Sequence, residues 1–119
     1  MIKTQTKIVV RFTVEAIHNW PDAAKFEPTM AFLAFPHRHI FHFEAKKSVA
    51  HDDRDVEIIV FKRELMDYFN RNYFDLSLNL CNFGSKSCEM LANDLVEAYD
   101  LDEASCLEDN ENGATVTKL

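Results

Sequence analysis

Residues 7–18 alternate between apolar and polar positions. Ile8, Val10, Phe12, Val14, Ala16 and His18 fall on one parity, and Lys7, Arg11, Thr13 and Glu15 on the other, with Val9 and Ile17 as exceptions. Successive side chains of an extended strand point to opposite faces, so the pattern predicts a long half-buried strand. A second alternating run covers residues 37–50, with His37, His39, Phe41, Phe43 and Ala45 on one face and Arg38, Ile40, His42 and Glu44 on the other. His18 closes the apolar parity of the first strand, and His37 and His39 open that of the second. If the two strands pair antiparallel, all three histidines meet at one end of the inner face.

Residues 19–36, with prolines at 21, 28 and 36, form a connection too long for a simple hairpin turn. Trp20, Phe26, Phe32 and Phe35 predict that it packs down, either as a plug on the end of the core or as a lid over a substrate. The polar run 51–55 signals a turn, and the β-branched run 56–60 predicts a short strand. Phe61, Leu65, Tyr68 and Phe69 lie at helical spacing within 61–72, and residues 73–86 read as a linker. Ser87 is a good N-cap for a second helix over 88–99, whose apolar side uses Leu91, Leu95 and Ala98. Two short strands, 105–108 and 114–118, follow, with Asn112-Gly113 at the tip of their hairpin. The prediction is a single α+β domain spanning residues 1–119, in the order strand, strand, helix, helix, strand, strand.

Composition narrows the chemistry. Hydrophobic residues at 47% and aromatics at 12% place the 119-residue chain among globular proteins with one core. Only two glycines occur, so no Gly-rich loop can cradle phosphates. The formal charge of -7 argues against nucleic acid as the main partner. Three cysteines without a pairing pattern, and no leader or long apolar run, predict a cytoplasmic protein that does not enter a membrane.

The histidines carry the candidate chemistry. Two imidazoles at i and i+2 of a strand can face one metal ion, and a third can come from the neighbouring strand. His18, His37 and His39 meet that requirement, although strand histidines also occur as capped core or surface residues. His42 lies on the opposite parity and reads as a surface or interface histidine.

At this stretch the chain resembles a known family. His37-Arg38-His39-Ile40-Phe41-His42-Phe43-Glu44 is similar to the H-G-H-N-Y-x-V-E stretch of the 6-pyruvoyl- and 6-carboxytetrahydropterin synthases, and Phe12-Thr13-Val14-Glu15-Ala16-Ile17-His18 to their F-S-A-A-H strand. Downstream, Ser87-Cys88-Glu89-Met90-Leu91-Ala92 resembles their T-S/A-E-N-L-A helix start, and Glu108-Asp109-Asn110-Glu111-Asn112 their E-T-D-N-N turn. The matches occur in the family's order. The resemblance implies a tunnelling fold, in which a four-stranded antiparallel sheet backed by two helices joins with copies of itself into a barrel, usually a hexamer. It further implies zinc on His18, His37 and His39, and a pterin- or purine-like ring held by Glu108, with Glu89 and Ser87 near the same pocket.

The departures are equally specific. The family's catalytic cysteine precedes the H-x-H pair, where this chain has Phe32-Leu33-Ala34-Phe35, and no histidine follows His51 to make the family's Asp-His pair. The ordinary pterin side-chain elimination is therefore not expected. Substitute proton-transfer groups are His51 and Asp52, acting across a subunit interface, and Cys88, whose position beside a helix N-cap favours a thiolate, though packing is the commoner role of such a cysteine. Two functions remain open: a zinc-dependent, lyase-like enzyme acting on a pterin or purine derivative, and an oligomer that binds such a ligand without turning it over. A purely structural oligomer with incidental histidines ranks behind both.

Overall fold

The computed structural model describes residues 1–119. The first two strands form its axis: β1 (Thr6–His18) and β2 (His37–Val49) pair antiparallel along their whole length, from Thr6 opposite Val49 to His18 opposite His37. This register sets Val10 against Ala45, Phe12 against Phe43 and Val14 against Phe41. The apolar parities therefore coincide on one face, where Phe12 and Phe43 stack with ring centroids 5.3 Å apart. The opposite face is polar and tied by cross-strand ion pairs, Arg11 to Glu44 (2.6 Å) and Arg38 to Glu15 (2.5 Å).

Helices α2 (Ile58–Tyr73) and α3 (Cys88–Tyr99) cover the apolar face. Phe61, Leu65 and Phe69 of α2, and Cys88, Leu91, Ala92, Leu95 and Val96 of α3, join the strand residues in one core that contains no buried polar or charged residue. Ala98, expected on the apolar side of α3, is exposed instead. Ser87 caps α3 by accepting the Met90 amide (3.2 Å), as expected. The last strands, β5 (Glu103–Glu108) and β6 (Asn112–Thr117), extend the sheet beyond β2.

Several expectations are corrected. The sheet has six strands rather than four, in the order β3-β4-β1-β2-β5-β6, and it is open. The extra pair, β3 (Phe74–Asp75) and β4 (Leu80–Asn82), lies in the expected linker and is too short to show a two-residue period. Because β4 runs parallel to β1, the sheet is mixed, not purely antiparallel. No strand forms over 56–60. Glu57 accepts the Val60 amide (2.8 Å) as an N-cap, and α2 starts at Ile58 because burial of Phe61, Leu65 and Phe69 at helical spacing outweighs the strand preference of a β-branched run.

The hairpin tip is displaced as well. Asp109 and Asn110 turn the chain with positive φ (52° and 59°), while Asn112 and Gly113 lie inside β6, opposite Glu108 and Leu107. Gly113 is obligatory there, since a Cβ would sit 1.8 Å from the Cys106 carbonyl oxygen. Residues 19–36 are not a packed-down loop. They form helix α1 (Ala23–Phe26) and a 3-10 helix (Pro28–Ala34), and Phe26, Phe32 and Phe35 are 78%, 63% and 72% exposed.

Asp102 joins three strands beyond the end of α3. Its carboxylate accepts the Ser48 amide, its own amide donates to the Lys46 carbonyl (2.9 Å), and its carbonyl accepts the Lys118 amide (2.8 Å). Burial disfavours the carboxylate, but the Ser48 hydrogen bonds outweigh it, helped by Lys7 and Lys118, and the pKa falls below the ordinary aspartate value. A depressed folded pKa adds stability above the unfolded value, which is lost as pH falls through the folded one. Asp102→Asn is therefore expected to lower stability at pH 7, with the gap to wild type closing below about pH 4 in denaturant titrations run at each pH. Leu65, fully buried in the core, provides a second test: Leu65→Ala is expected to cost about 2–5 kcal/mol in urea unfolding.

Candidate metal and ligand site

The β1–β2 register brings the three histidines together as expected. Ring centroids lie 4.6 Å apart for His18 and His37, 5.4 Å for His18 and His39, and 5.1 Å for His37 and His39. Phe41 supports them from the core side, 5.0 Å from the His18 ring and 5.7 Å from the His39 ring. Glu108 arrives from β5, directly opposite Phe41 and on the same face. One candidate ligand atom from each of His18, His37, His39 and Glu108 lies within 4.8 Å of the others, so this group could hold a metal ion.

The hydrogen bonds around the rings fix which nitrogen is available. His18 Nδ1 lies 3.1 Å from the Lys86 carbonyl oxygen, His37 Nδ1 2.9 Å from the Phe35 carbonyl oxygen, and His39 Nδ1 2.7 Å from Asp109 Oδ2. Carbonyls can only accept, and the His39 and Ile40 N–H groups hold the Asp109 carboxyl below the usual aspartate range, so it is an acceptor too. Each Nδ1 must therefore carry the proton. In the neutral rings every Nε2 then presents a lone pair, the arrangement of metal-ligating histidines whose outer nitrogen is held by an oxygen.

Glu108 Oε2 lies 2.9 Å from His39 Nε2 and 3.2 Å from His18 Nε2. The His18 contact is close but not a hydrogen bond, and His18 Nε2 is buried without a hydrogen-bond partner. A carboxylate facing imidazole lone pairs is repulsive unless a cation, proton or metal lies among them. The same balance shows in the acidities. Burial opposes the charged form of His18, but Glu108 and the Lys86 carbonyl outweigh it and raise the pKa. The His18 imidazole, ahead of His39 and His37, holds Glu108 below the ordinary glutamate range against burial.

Beside this centre lies a cavity of about 370 Å³, lined by His18, His37, Glu108, Trp20 and Leu33 and by the start of α3 from Ser87 to Met90. Ser87, Cys88 and Glu89 thus all border it. Glu89 is exposed, and the Ser87 hydroxyl is engaged as the N-cap. Cys88 is buried, and the Cys106 thiol acts to lower its pKa, while interaction with Cys88, with burial, pushes Cys106 up. The Lys86 ammonium is held by Asp94 and lies 5.7 Å over the Tyr73 ring.

His51 and Asp52 are placed elsewhere. They follow the far end of β2, and the 13-residue strand separates them from His37 by about 40 Å within the protomer. Asp52 accepts the Thr6 hydroxyl (2.6 Å), and His51 lies 3.5 Å from Asp55. Both are exposed, and neither touches the histidine centre.

Asp109 is the site residue that the sequence reading missed. Strand alternation would send it to the face opposite Glu108, but its positive φ returns it to the same side, where Oδ2 takes the His39 N–H and Oδ1 the Ile40 amide (3.0 Å). An Asp-Asn pair just after an apolar alternation was the available signal, because both residues tolerate this conformation. Asp109→Ala is expected to weaken divalent-metal binding about 10–100-fold by chelator competition, and to lower apoprotein stability as well, since it removes the acceptor of the Ile40 amide and puts alanine at positive φ.

No protein-family model and no curated protein matches this chain.

Proposed function

We propose that this chain is a zinc-binding protein of the tetrahydropterin-synthase kind that takes a pterin- or purine-like ring into the cavity beside His18, His37 and His39. The observation that carries the reading is the convergence of one ligand atom from each of three imidazoles and a carboxylate within 4.8 Å, each ring held from outside by an oxygen, beside a cavity that His18, His37 and Glu108 line. Three imidazoles suit zinc and leave a coordination position for water or substrate. An ionised Glu108 suits two N–H donors of a flat heterocycle, since hydrogen bonds to a charged acceptor are the strong ones. Bound zinc would polarise a ligand oxygen and stabilise charge developing on it.

The second reading, capture without turnover, is favoured by what surrounds the centre. The 32–35 segment has no thiol, and His51 and Asp52 lie at the other end of β2. Cys88 is the one thiol bordering the cavity. Assembly belongs to the same proposal: β6 has a free edge, and β1 pairs with β4 only at Ala16 and Ile17, leaving the rest of that edge open to copies of the chain. A homo-oligomer, hexameric as in the family that the sequence resembles, would cover these edges.

Metal analysis of protein purified without chelator is expected to find about one zinc per chain, lost in His39→Ala; a zinc content near zero in the wild type would refute the shared premise. Incubation with dihydroneopterin triphosphate then separates the two readings. Product formation abolished by Glu108→Ala marks an enzyme, and retention of unchanged ligand marks a binder. Light scattering is expected to give several times the protomer mass, and a monomer would remove the assembly from the proposal.

A further inference from the structure

Glu108 has two claims on it, and the geometry bears on both. Tetrahedral zinc with bonds of about 2.0–2.1 Å separates neighbouring ligand atoms by about 3.3 Å. Glu108 Oε2 lies 2.9 and 3.2 Å from the Nε2 atoms of His39 and His18. It therefore sits near a vertex of the ligand set rather than at its centre. Meanwhile Glu108 is 30% exposed, borders the cavity, and its other carboxylate oxygen makes no hydrogen bond within the protein. An oxygen shared between lone pairs has every reason to bind a cation there, and one without protein partners is free to be claimed by a ligand.

We propose that Glu108 is a two-position carboxylate: with the cavity empty it supplies the metal's fourth bond and closes the centre, and a ring bearing adjacent N–H donors draws it off and opens that position. This rests on the proposed metal and ring binding, and adds a gate to them. The bond that breaks is metal to Glu108 oxygen; those that form are Glu108 oxygen to the ring N–H groups and metal to incoming water or ligand oxygen, with no change in oxidation state. The metal then reaches its reactive, open form only beside a bound ring, and free solvent meets a four-coordinate centre.

Cobalt(II) reports this directly, because its visible absorption depends on coordination number and donor set, and azide is a probe that needs an open position. The cobalt-loaded wild type is expected to respond to azide only weakly. Glu108→Gln and Glu108→Ala should both respond at azide concentrations at least tenfold lower, and saturating neopterin, with binding followed by its fluorescence, should sensitise the wild type similarly. Equal azide responses in wild type and both variants would overturn the fourth-ligand role. Bound neopterin that leaves the wild-type response unchanged would overturn the gate. Failure of the wild type to take up cobalt, or to bind neopterin at all, would instead refute the underlying metal or ring reading, and the gate with it.

Discussion

The structure depends on one ladder, the unbroken antiparallel pairing of β1 with β2. Its register does two jobs at once. Along most of its length it aligns Val10, Phe12 and Ala16 with Phe43 and Ala45 on the face that α2 and α3 bury. At its last two inner-facing positions it sets His18 opposite His37 and Ala16 opposite His39, so the imidazoles continue the row of core side chains. A slip of one residue would send each apolar set to the polar face and scatter the histidines. The burial that drives folding therefore also aligns the candidate ligands, and no separate device is needed to bring His18, which is remote in sequence, to the H-x-H pair.

That coupling explains what was legible beforehand. Two 13-residue strands with matching parity left little choice of register, so the three-histidine cluster could be read from alternation alone. The two main helices were legible for the same reason, through the spacing of Phe61, Leu65 and Phe69 and the Ser87 cap. The misses fall where local and tertiary preferences part. Ile58, Ile59 and Val60 favour strands intrinsically but begin a helix, and the pairing of β3 with β4 rests on two or three residues that carry no period. Asp109 escaped because one residue with positive φ breaks the parity rule on which the rest of the reading stood.

Electrostatically, the site is assembled from parts that would be unfavourable without a cation. Three rings have their Nδ1 protons committed outward, and a carboxylate approaches the nitrogen lone pairs that remain. The outer partners are unequal: His18 and His37 face neutral carbonyls, whereas His39 faces the charged Asp109. His39 is thus the most electron-rich of the three and the one nearest Glu108, which concentrates negative charge at the β5 side of the centre.

Gly113 bears on how such a site could change. Where it borders the cavity, the chain passes so close to Cys106 that not even a methyl group fits, and that part of the wall is main chain. Main chain offers the same amide and carbonyl whatever residue is encoded, so this side of the cavity cannot be reshaped by a simple exchange of side chains. Drift in ligand preference is left to the side chains elsewhere in the lining, among them Trp20 and Leu33 on a connection of short helices outside the central ladder and Glu89 and Met90 at the start of α3. The cavity in this sense combines one inherited stretch of lining with an adjustable remainder.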